Sequence, residues 1–152
     1  MTTEMMKEEN NELETLIAIN KDACSFYSSA QEKAETPHMK TVFMELEKLH
    51  SSVVSTLSSC VRANGETADV DTTLTGKTTQ FIGELASKIS NDVDATMVKH
   101  LEEAEDRCLN SMRSAINSED ITPSTKNVLK MEMETLQKSH DYMRDLKENM
   151  AA

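Results

Sequence analysis

Two short stretches carry the residue types best suited to chemistry. Phe43 to His50 reads FMELEKLH, and Met133 to His140 reads METLQKSH, in gapless register 90 positions later. Leu, Lys and His recur, and Glu47 is answered by Gln137. Residues three apart share a helix face, so Glu-x-x-His can bring a carboxylate and an imidazole to one ion. Carboxylate-bridged four-helix bundles use two such pairs, plus one Glu from each of two further helices, to hold Fe or Mn. The first stretch supplies the full pair, Glu47 and His50. The second supplies His140, with a neutral amide where the second bridging carboxylate is required. Asp22 or Cys24 upstream, and Glu105, Asp106 or Cys108 between the stretches, are the remaining candidates. KDAC (Lys21 to Cys24) and EDRC (Glu105 to Cys108) are a second echo: Asp, one residue, Cys.

Glu47, His50, His140, Glu105 and Asp22 are therefore the candidate metal ligands, with Fe or Mn as the cofactor. The competing reading is a polar core cluster, in which each inward histidine is hydrogen-bonded to a neighbour. Cys24 and Cys108 with His50 and His140 would make a zinc-like tetrahedral set. Nothing in the sequence brings those four together, and inward cysteines ordinarily serve as small apolar residues. Gln137 tips the balance toward the polar cluster. No phosphate-binding glycine loop, GxSxG elbow or diagnostic Cys–His spacing is present. His100, beside Glu102 and Glu103, reads as surface.

Four long helices must position these residues. Leu13, Leu16, Ile17, Asn20, Cys24, Tyr27 and Ala34 recur at three- and four-residue steps, which predicts a helix over 11–33. Residues 1–10 are expected to be disordered. Thr36-Pro37 is an N-cap followed by proline at the first helical position. The second helix runs to about Ala63 on Val42, Leu46, Leu49, Val53, Leu57 and Cys60, and stops at Asn64-Gly65. A polar connector follows, then a short amphipathic helix over about 78–90 with Phe81, Ile82, Leu85 and Ile89. The third helix is expected over 94–117 on Met97, Leu101, Ala104, Cys108, Met112 and Ala115. Thr122-Pro123 repeats the Thr-Pro entry, and the fourth helix runs to about Glu148 on Leu129, Met133, Leu136, His140 and Met143. The fold class is all-α: one domain over 11–150, two antiparallel hairpins, and a long crossover carrying the short helix. That is the plan of a ferritin-like bundle.

Composition agrees. Of 152 residues, 38% are hydrophobic but only 3% aromatic, so the core rests on aliphatic residues and 11 Met. Three Gly and two Pro are too few for a many-turned β protein. A net charge of −11 argues against nucleic acid and anionic membranes as partners. No apolar run reaches the length of a membrane span. Three widely spaced cysteines and an acidic N-terminus without an apolar leader predict free thiols in the cytoplasm. The apolar face at Phe81, Ile82, Leu85 and Ile89 predicts a homodimer.

LETLIAINKDACSFYSSAQE (13–32), HLEEAEDRCLNSMRSAI (100–116) and TPSTKNVLKMEMETLQKSHDYMRDL (122–146) resemble a bacterial family, domain of unknown function 2383. The resemblance spans nearly the whole chain and implies a ferritin-like four-helix bundle. It carries no activity with it. Members often bear acidic residues where this chain has Cys24 and Cys108, and a Trp in the connecting helix. The expected function is a non-enzymatic binding or assembly protein, with a stress response as its expected setting. The alternative is a metal-binding or oxidative protein of the di-iron carboxylate type with an altered site.

Overall fold

The computed structural model describes residues 3–68 and 90–151, and every regular element among them is an α-helix. The helices are α1 (Thr3–Lys33), α2 (Pro37–Ala63), α3 (Ser90–Ile116) and α4 (Pro123–Ala151). The short helix expected over 78–90, with Phe81, Ile82, Leu85 and Ile89, lies outside the described residues. α1 begins eight residues before the expected start at Asn11, and Glu9 and Asn10 are buried in it. The expectation of a disordered 1–10 differs from the structure, in which α1 starts at Thr3; Glu9 and Asn10 make polar contacts, which an apolar pattern does not reveal.

The ends of the helices show why they stop where they do. Thr36 is extended at the α2 N-cap, accepts from Met39 N–H at 3.2 Å, and precedes Pro37. At the other end Gly65 adopts φ +85°, its N–H donates to Arg62 at 2.9 Å, and Glu66 N–H donates to Val61 at 3.2 Å. This is a Schellman stop, which needs the left-handed conformation that glycine supplies. Thr122 differs from Thr36. Its N–H and its hydroxyl both donate to Glu9 Oε1, each at 2.8 Å, while Asn64 donates to Glu9 Oε2 at 2.7 Å. One buried carboxylate of α1 thus joins the α2 stop to the α3–α4 turn.

The same bonds fix helix directions. Asn64 meets Glu9 while His50 meets Asn20, so α2 runs antiparallel to α1. Tyr27 meets Glu105 while Cys108 meets Ile19, so α3 is also antiparallel to α1. Ser139 meets Glu105 while Lys147 meets Glu102, so α4 is antiparallel to α3. α1 packs on α2 and α3, and α4 packs on α3 and more sparingly on α2.

Buried residues of α2 follow steps of four and three: Met39, Phe43, Leu46, His50, Val53, Leu57. That alternation is the seam of a near-parallel bundle. The apolar core falls into two clusters. One contains Tyr27, Phe43, Met97, Leu101 and Met143. The other contains Leu13, Ile17, Leu57, Met112 and Leu129. A polar layer lies where they meet.

Candidate functional site

All four helices contribute to that layer. His50 of α2 is wholly buried, with Nδ1 at 2.9 Å from Asn20 Oδ1 and Nε2 at 2.8 Å from Glu105 Oε1. Tyr27 of α1 and Ser139 of α4 each donate a hydroxyl to the same Glu105 oxygen at 2.5 Å. The Tyr27 ring stacks on the imidazole, with centroids 5.7 Å apart. Asn20 is oriented by its own amide N–H, which donates to the Leu16 carbonyl at 2.9 Å. Its oxygen must then face His50. Both ring nitrogens of His50 therefore lie within hydrogen-bond distance of an oxygen. The layer centres on the contact of His50 with Glu105, braced by Asn20, Tyr27 and Ser139.

Burial alone would raise the Glu105 carboxyl. The His50 charge, and hydrogen bonds from His50, Ser139 and Tyr27, outweigh it and hold the group below the usual carboxylate range. Burial and the Glu105 charge push the Tyr27 phenol well up, so it stays a donor. Glu105 Oε2 is buried and has no hydrogen-bond partner among the described residues, because all three donors converge on Oε1.

The candidate ligands separate in space. His50 and Glu105 come together. Asp22 is fully buried on α1. Glu47 is half-buried and takes a hydrogen bond from Gln31, so it leaves the layer. His140 sits at the α3–α4 edge, with Nε2 at 2.5 Å from Asp106 and Nδ1 at 3.2 Å from Asp141. The inward residue at that level of α4 is Ser139, one position earlier. Leu129, Leu136 and Met143 repeat every seven residues, and Ser139 lies three beyond Leu136, on the inner seam. His140 is turned a further 100° or so to the flank. Its expected inward pointing is thus corrected. Burial of a lone Ser gives little sequence signal, which is why Ser139 goes unanticipated.

Among the described residues no three His, Cys, Asp or Glu side chains gather so that they could hold a metal ion. The donor set does not suit a dinuclear centre in any case. His50 has both nitrogens committed, and the carboxylates flanking His140 bind opposite edges of its ring.

Cys108, His50 and Glu105 lie in line, with Cys108 Sγ 3.9 Å from His50 Nδ1. The line resembles a thiol–imidazole–carboxylate relay, yet it lacks what a nucleophile needs. Asn20 already takes Nδ1, and burial followed by the Glu105 charge pushes the Cys108 thiol well up. Burial and the Glu47 charge push Cys24 to about 11. Cys60 is raised likewise, first by burial and then by Glu9. All three cysteines are free.

A family model described as a domain of unknown function, DUF2383, matches residues 8–118. No curated protein and no solved structure matches the chain.

Proposed function

This chain belongs to the DUF2383 family, and on that premise we propose that it is a ferritin-like scaffold, a non-enzymatic binding or assembly protein whose central layer is an ion pair in place of a metal centre. The observation that carries the reading is the double commitment of the His50 ring to Asn20 and Glu105. A ligand imidazole must offer a free lone pair, and this one spends both nitrogens on acceptors. The ferritin-like part draws on the helix directions. α2 and α3 run the same way, so the end of α2 and the start of α3 lie at opposite ends of the bundle, which supports the one-crossover plan. Function then rests on the acidic outer surface and on assembly as a cytoplasmic homodimer. Among the described residues no helix is long and apolar enough to cross a membrane.

Purification without chelator, followed by metal analysis and thermal unfolding with and without EDTA, tests this reading. The expected result is no stoichiometric Fe or Mn and an unchanged midpoint. Chelator-sensitive stability that disappears in His50→Ala would overturn it in favour of the metal-binding alternative.

A further inference from the structure

We infer that the buried ionic layer decides which hairpin pairs with which. The chain is two similar helical hairpins. Each enters its second helix at Thr-Pro, and each carries a version of the same eight-residue stretch. The seams above and below the layer are mostly aliphatic, and aliphatic cores tolerate alternative pairings of similar helices. The near competitor of the native fold is therefore self-pairing between two chains, α1–α2 against α1–α2 and α3–α4 against α3–α4. Residues 64–89, which separate the hairpins in sequence, are long enough to permit exchange.

The layer is unequal between the two hairpins. The first hairpin brings His50, held by Asn20, together with the Tyr27 donor. The second brings Glu105 and the Ser139 donor. Native pairing places the carboxylate of one hairpin on the imidazole of the other. Self-pairing of the first hairpin sets two His50 rings at one level, each without the Glu105 acceptor it meets in the native pairing. Self-pairing of the second sets two Glu105 carboxylates together, with only hydroxyl donors. Leaving a buried charge uncompensated is strongly unfavourable, whereas replacing the whole pair by apolar residues is commonly neutral. The layer therefore acts against wrong pairing and adds little to net stability, as a single buried polar residue does in fixing coiled-coil partners.

Charge exchange in the full-length chain tests this. His50→Glu and Glu105→His are prepared separately, then mixed and refolded. Each alone should lose roughly 10 °C or more of thermal midpoint. The mixture should recover most of that loss as a heterodimer in which His50 of one chain meets Glu105 of the other. A mixture no more stable than its components would overturn the inference. The doubly apolar chain, His50→Leu with Glu105→Leu, covers the case in which the charged variants fail to fold. It should keep a midpoint above that of either charged variant but shift several-fold toward larger species on refolding at high concentration. A size distribution identical to wild type would count against the layer as a selector. The inference rests on the ion-pair reading, and the two fail separately: recovery that depends on added metal or vanishes with EDTA would indict that reading, whereas metal-independent absence of recovery would indict the selector alone.

Discussion

At the residue scale, His50 and Glu105 are each other's counter-charge, and neither can turn to solvent. His50→Leu leaves a buried carboxylate unpaired and should cost about 3–5 kcal/mol. Adding Glu105→Leu should recover much of that, and urea unfolding of the three chains measures it. The pH dependence has a definite sign. The Glu105 carboxyl is held below its ordinary value, by the His50 charge and three hydrogen bonds against the effect of burial. Its contribution is complete above the unfolded carboxyl pKa of about 4.3 and is lost as pH falls through the lower native value. Glu105→Gln should flatten the acid limb of stability against pH. His140 has the opposite sign. Burial lowers its pKa, but the Asp141 and Asp106 hydrogen bonds and charges outweigh that and raise it. Its contribution is complete below about 6.5 and is lost as pH rises through the raised native value. A stability profile of His140→Gln that keeps the wild-type slope above neutrality would contradict this.

At the element scale, two helix ends depend on single residues. Gly65 holds φ +85°, and a Cβ there would meet nothing within 4 Å. Gly65→Ala should therefore show the backbone cost alone, about 1 kcal/mol. Glu9 is the larger case, since it accepts from Thr122 N–H, the Thr122 hydroxyl and Asn64. Glu9→Ala removes the acceptor for three donors at the bundle end, at a cost of roughly 1–3 kcal/mol. Hydrogen exchange should report faster opening at the start of α4 and at the α2 stop, with the central layer unaffected. Uniform acceleration across the bundle would show that Glu9 is not a local clasp.

On the scale of the whole molecule, the chain carries a formal net charge of −11. Self-repulsion of like charges weakens a compact state and is screened over about 10 Å at 0.1 M salt. The thermal midpoint should rise as sodium chloride goes from low to moderate concentration. Reductant should leave the midpoint unchanged, because Cys24, Cys60 and Cys108 are all free; a large fall in dithiothreitol would mean that a cross-link had been missed.

Helix identity and the inner seams were legible in the sequence because burial imposes a repeat that apolar residues reveal. Leu13, Leu46, Val53, Met97, Leu101 and Leu136 all fall inside. The Thr36-Pro37 entry and the Gly65 stop were legible because capping chemistry is local. Candidate ligands could be named one by one, but not sorted. Whether Glu47 or Glu105 meets His50 depends on how α2 and α3 are rotated against one another, and no repeat within one helix encodes that. A single position on α4 turns a side chain by about 100°, and this decided between Ser139 inside and His140 at the edge. Glu9 was hidden because an acidic N-terminus reads as solvated, and its partners Asn64 and Thr122 lie more than fifty residues away. Periodicity is a property of each segment, so the sequence determined the helices and their inner faces. Hydrogen-bond pairing of buried polar groups is a property of the assembly, and only the tertiary structure decided it.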